Sequence, residues 1–132
     1  MIKYVIPLQP VTKKNHQQIV RNKKTGKPMI IQANRHNEYA ESCKWFLKPL
    51  PKKPIDYPVN VKCLYYVSRR NRVDKTNLES AILDILVAAG VLADDNRNIV
   101  YSTDGSRVLY DKKNPRTEIY ITKAGDFISW DE

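Results

Sequence analysis

RVDKTNLESAILDILVAAGVLADDNRNIV, residues 72–100, decides how the rest of the chain is read. From about Thr76 to Ala89, Leu78, Ala81, Ile82, Ile85, Leu86 and Ala89 recur at helical spacing and form one apolar stripe, which predicts an amphipathic helix packed on a core. Gly90 is placed to end it. Steps of three, four and seven residues bring Asn77, Ser80 and Asp84 onto a second, polar face. Asp74 stands before the helix, and the pair Asp94–Asp95 follows it.

Working outward, a strand is expected over residues 2–8, ended or held at a sheet edge by Pro7 and Pro10. A loop carrying Lys13, Lys14, Asn15 and His16 follows. Residues 17–32 then read as a hairpin around Lys24-Thr25-Gly26. Asn34 is placed to cap a helix running to about Leu47, with Tyr39, Cys43, Phe46 and Leu47 on its apolar side, and Pro49, Pro51 and Pro54 stop it in a stiff connector. Residues 58–68 alternate as a strand that leads into Arg69, Arg70 and Arg72. After the Asp94-Asp95-Asn96 turn, a strand near Ile99–Tyr101 meets a turn or bulge at Asp104-Gly105. Val108–Tyr110 and Thr117–Thr122 are expected to form a closing pair across the Asp111–Pro115 turn, and the tail from Gly125 to be loosely held. The length, 132 residues, suits one domain over residues 1–132.

Charge narrows the partner. Residues 1–75 hold 17 Lys and Arg against 4 Asp and Glu, and residues 76–132 hold 6 against 10, so the two parts carry +13 and −4 within a net +9. A basic surface beside a set of carboxylates suits a polyanion and chemistry done on it. Cys43 and Cys63 lack partners at zinc-like intervals and are expected to be buried thiols in a reducing compartment. His16 and His36 are isolated, which disfavours a histidine base or histidine-metal nuclease. The absence of a Gly-rich phosphate loop disfavours a small-molecule cofactor, and no stretch reaches membrane-spanning length. The expectation is a soluble, cytoplasmic protein.

Phosphodiester cleavage needs phosphate charge neutralised and hydroxide generated near neutral pH, and carboxylates holding Mg²⁺ do both. Asp74, Asp94 and Asp95 are the candidate ligands. Adjacent residues of an extended segment face opposite ways, so one of the pair would bind while the other orients or caps. The acids also have plainer roles open to them, Asp74 as a helix cap and Asp94-Asp95-Asn96 as a turn. A helix of about 14 residues is roughly 20 Å long, and the roughly five residues after Ala89 reach at most about 17 Å, so a return to Asp74 within one subunit would be strained. Two helices related by a two-fold axis would bring Asp74 of one chain to Asp95 of another, which predicts a homodimer with metal sites at or near its interface.

The same stretch resembles the RusA family of Holliday junction resolvases, whose motif resembles D-x-D-N-x-x-K-x-x-x-D-x-L followed by an Asp-Asp pair; here Asp74, Asn77, Leu78, Asp84, Leu86 and Asp94–Asp95 match without a gap. IPLQPVTKKNHQ (6–17), TGKPMIIQ (25–32) and DGSRVLYDKKNPRTEIYI (104–121) are similar to other parts of that family. The resemblance implies a dimeric α+β fold, a small mixed β-sheet with two main helices, that resolves four-way DNA junctions in recombination and repair by paired symmetric nicks, with Asp74 and Asp95 as catalytic, metal-binding acids. Thr76 stands where the family has a second Asp, and Ser80 where it has a helix Lys; the resemblance implies a less anionic site, for which Glu79 or Asp94 compensates or activity falls, with Lys75 in place of the missing cation. In this reading Lys13, Lys14, Asn15, Arg69, Arg70, Arg72 and Lys75 bind the phosphate backbone. Two alternatives stay open: a catalytically weak or inactive junction-binding protein of the same fold, and a basic RNA-binding protein.

Overall fold

A computed structural model describes residues 1–12, 17–21, 28–32, 34–70 and 73–124. The fold is α+β, a mixed five-stranded sheet with two helices and a separate two-stranded hairpin. Its centre is β4 (Val59–Val67), which alternates without a break: Val59, Val61, Cys63, Tyr65 and Val67 are buried, and the residues between them are half-buried. On one side β4 pairs antiparallel with β7 (Arg116–Lys123), which in turn pairs antiparallel with β1 (Ile2–Ile6). On its other side lie β5 (Val100–Ser102) and β6 (Arg107–Tyr110), both parallel to it.

Parallel neighbours need a crossover, and α2 (Lys75–Ala88) supplies it between β4 and β5. Leu78, Ala81, Ile82, Ile85 and Leu86 are buried as the stripe predicts, and they join Tyr39, Cys43 and Leu47 from the α1 (Asn34–Lys44) region on one face of the sheet. The helix starts one residue earlier than the stripe suggests, because Asp74 caps it. It ends as expected at Gly90, whose φ is +87°. There the Gly90 N–H donates to Val87 O and the Val91 N–H to Leu86 O, the paired bonds of a Schellman motif. A Cβ added at Gly90 would meet nothing within 4 Å, so strain at positive φ is its whole cost. Gly90→Ala should therefore destabilise the protein by about 1–2 kcal/mol, read from the urea midpoint.

The hairpin of residues 17–32 forms as expected, β2 (Gln17–Arg21) pairing antiparallel with β3 (Pro28–Gln32); its turn, residues 22–27, lies outside the described residues. Two expectations change. β6 and β7 are not a pair: β4 lies between them, because β6 continues the line of β5 along the free edge of β4 after a bulge at 103–106. Asn60 fastens that bulge, its Oδ1 accepting from Ser102 Oγ (2.5 Å) and Asp104 N (2.8 Å) and its Nδ2 donating to Asp104 O (3.2 Å). Phe46, expected on the apolar side of α1, is 39% exposed. The helix ends at Lys44 and the chain leaves it through three-residue turn bonds at Trp45, Phe46 and Leu47, where helical spacing no longer assigns sides.

Cys43 and Cys63 are buried free thiols, and burial pushes them up to about 11 and about 12, so both stay protonated near neutral pH. Among the described residues no helix is long and apolar enough to cross a membrane.

Candidate active site

The end of β4 and the start of α2 place the first acid. Asp74 has extended backbone (φ −83°, ψ 111°), its carbonyl accepts the first helical bond from Leu78 N, and its Oδ1 accepts from Thr76 N at 2.9 Å. Asp74 is thus a helix cap in an exposed position, complementary to the positive helix end, with Oδ1 engaged by that bond. Thr76 and Ser80 are exposed beside it, Asn77 is half-buried, and Asp84 is exposed one turn beyond Ser80. Lys75 lies 3.7 Å from Glu79.

Cations gather at the same end of the sheet. Arg69 and Arg70 follow β4 directly, and the Arg70 guanidinium lies over the Tyr110 ring, 4.6 Å from its centroid. Gln9 Oε1 accepts from Ser68 N at 3.0 Å, which ties the segment after β1 to this end. Lys13, Lys14, Asn15, His16 and Arg72 lie outside the described residues, as does the side chain of His36.

A further polar cluster sits here that the sequence reading did not pick out. Arg116 donates to Asp111 (2.9 Å) and Glu118 (2.7 Å) and lies 3.7 Å over the Tyr66 ring, while Tyr120 donates to the other oxygen of Glu118. Arg116-x-Glu118 on one strand face was the available signal. The hydrogen bonds from Arg116 hold the Asp111 and Glu118 carboxyls below their ordinary range. A carboxyl lower in the folded than in the unfolded chain contributes stability above its unfolded value, and that contribution is lost as pH falls through the folded one. Urea midpoints followed from pH 7 down to pH 3 should therefore fall less steeply for Arg116→Met than for the parent.

Asp94 and Asp95 lie at the other end of α2. Ile55 N donates to Val91 O and Ala93 N to Ile55 O, both at 2.9 Å, and Val59 N donates to Ile99 O at 2.8 Å, so residues 91–99 run beside the entrance to β4. Asp94 Oδ1 accepts from Asp95 N (2.7 Å), and the Asn96 carbonyl accepts from Ile99 and Val100. Both aspartates are exposed, and it is Asp94 that shapes the turn. The chain therefore does not return toward Asp74: within one protomer the acids are separated by the length of a 14-residue helix, about 21 Å. In kind, exposed carboxylates fit a hard divalent cation. In place they do not fit one within a single protomer, since among the described residues no three or more His, Cys, Asp or Glu side chains gather to hold a metal.

No curated protein matches the sequence. Residues 7–122, most of the chain, match the family model described as Endodeoxyribonuclease RusA. With the mixed sheet, the crossover helix and the acids at its two ends, that match shows that the chain belongs to the RusA endodeoxyribonuclease family.

Proposed function

We propose that the protein is a metal-dependent, structure-specific endodeoxyribonuclease that acts as a homodimer and resolves four-way DNA junctions by paired symmetric nicks in recombination and repair. One observation beyond family membership carries this reading: Asp74 and Asp95 are exposed at opposite ends of one helix, so a site that uses both is completed by a second copy of the chain. A two-fold dimer then has two such sites, which suits the near-symmetry of an open junction. Asp74 and Asp95 would hold the cation, with Asp94 orienting the turn and Thr76, Asn77, Ser80 and Asp84 supporting the first acid. A bound Mg²⁺ or Mn²⁺ supplies a hydroxide nucleophile near neutral pH and neutralises phosphate charge.

Arg69, Arg70 and Lys75 would grip phosphates at the Asp74 end, and Lys13, Lys14, Asn15 and Arg72 would also bind the phosphate backbone, contacts that position the strand without reading its sequence. If the six cations among these each neutralise one phosphate, log affinity should fall with log salt at a slope of about −5. A slope near zero in a salt titration would remove the basic half as the DNA surface.

Thr76 in the place of an acid gives a second reading, a catalytically weak or inactive junction binder. A labelled four-way junction incubated with Mg²⁺ separates the two. Paired nicks that give two nicked duplexes, absent with EDTA, support the nuclease. Tight binding without nicks supports the binder, and preference for RNA supports an RNA-binding role instead.

A further inference from the structure

The connector between α1 and β4 has a composition its structural role does not require. Residues 44–53, KWFLKPLPKK, hold four Lys and no acid. Within them Trp45 is 73% exposed and Leu50 51% exposed, beside the partly exposed Phe46. Three exposed large apolar side chains within six residues are more than chance scatter requires and suit a contact surface. The segment itself is well held: Leu47 is fully buried, the Tyr4 hydroxyl donates to the Pro49 carbonyl at 2.8 Å, and Ile55 is bonded to Val91 and Ala93. The exposed ring is therefore carried on a fixed support.

The surroundings indicate what would cover it. Lys48 lies over the Trp45 ring, 5.1 Å from its centroid. Lys44 and Lys53 have carboxylate neighbours in Glu41 and Asp56, whereas Lys48 and Lys52 make no ion pair among the described residues. An aromatic face beside Lys48, in a segment that carries a second cation without an ion pair, is complementary to a single nucleic-acid strand, whose bases stack while its phosphates meet the ammonium groups. The location agrees. The connector ends at Ile55, the residue that pins 91–93, so it adjoins the turn bearing Asp94 and Asp95.

We propose that Trp45, with Leu50 beside it and Lys48 and Lys52 as phosphate contacts, is a stacking platform for an unpaired base of the DNA strand that reaches Asp95. This rests on the nuclease reading for its substrate and adds to it a base contact at the junction, where pairing is interrupted. Duplex DNA, whose bases are already stacked, should depend on Trp45 much less than single strands do.

The test uses the full chain carrying Trp130→Phe, which leaves Trp45 as its one Trp, in EDTA so that nothing is cut. Binding of a short oligothymidylate should quench Trp45 fluorescence. Trp45→Ala should weaken binding of the oligothymidylate by roughly 5- to 150-fold, the range given by loss of one base stack, and Trp45→Phe should recover most of it. Duplex affinity should change little. Lys52→Ala should instead lower the salt slope by about one. Unmoved emission at saturation, or unaltered oligothymidylate affinity in Trp45→Ala, overturns the proposal. So does conversion of Trp45→Ala to a smaller species in sedimentation equilibrium, which would make this face a contact between copies. Nicking by the parent protein is scored separately. Quenching without nicking removes the nuclease reading alone, and nicking with unaltered Trp45→Ala binding removes the platform alone.

Discussion

Asp74→Asn and Asp95→Asn should each lower junction nicking by about a thousandfold, the loss of roughly 4 kcal/mol of transition-state stabilisation, while junction binding and unfolding temperature stay near those of the parent. The substitutions are chosen for what they preserve. Asn is as good a helix cap as Asp, so the bond from Thr76 N to residue 74 survives, and α2 with it. Asp95 makes no side-chain bond that holds the 94–100 turn, which rests on Asp94 and Asn96. What each change removes is a carboxylate charge in an exposed place.

The mixture of the two variants is more informative than either. If each site takes Asp74 from one protomer and Asp95 from the other, a mixed dimer contains one doubly altered site and one intact site. Random pairing then restores about a quarter of the parent's sites, and each restored dimer cuts one strand, so the product is a nicked junction. If both acids served one protomer, the mixture would stay as inactive as its components. Gel analysis of nicked against resolved junction distinguishes these outcomes.

The second large effect is on stability. Leu86 is fully buried beneath the sheet, and its carbonyl also accepts the N–H of Val91 and of Leu92 at the end of α2. Leu86→Ala should cost about 3 kcal/mol through lost burial and an incompletely collapsed cavity, a fall of roughly 10 °C in Tm for a domain of this size. Thermal and urea unfolding measure it, and a cost below about 1 kcal/mol would mean that the α2–sheet packing is looser than described. The helix spaces Asp74 from Asp94 and Asp95, so weakened packing should also bring the loss of nicking to a lower temperature.

Much of the fold was legible because its decisive patterns are local. The α2 stripe, the Gly90 stop and the alternation of β4 each follow from spacing and backbone preference within a dozen residues. The pairing of β6 was not legible. Val108–Tyr110 and Thr117–Thr122 look like a hairpin in sequence, and only the free edge of β4, over forty residues upstream in register (Leu64 with Arg107), draws them apart. Phe46 was misplaced because a helical period was carried two residues past the helix end. In the candidate site the positions of the acids were legible, Asp74 at one end of α2 and Asp94–Asp95 beyond the other, and so was their separation within one subunit. The bonds from Ile55 that fix the Asp94–Asp95 turn at the far end of α2 were not, since nothing in Ile55 marks it as a partner of Val91 and Ala93. In the Asp111–Arg116–Glu118 cluster the ion pairs are local, two and five residues apart, and only the Tyr66 ring beneath Arg116 depends on β7 lying beside β4.

In the proposed nuclease, Asp74 of one protomer meets Asp95 of another. A crystal of the full chain soaked in Mn²⁺, with anomalous density measured at the manganese edge, tests this directly. A peak is expected between the Asp74 carboxylate of one chain and the Asp95 carboxylate of its two-fold mate. Side chains that point apart in every assembly of the crystal, with no peak between them, would contradict it.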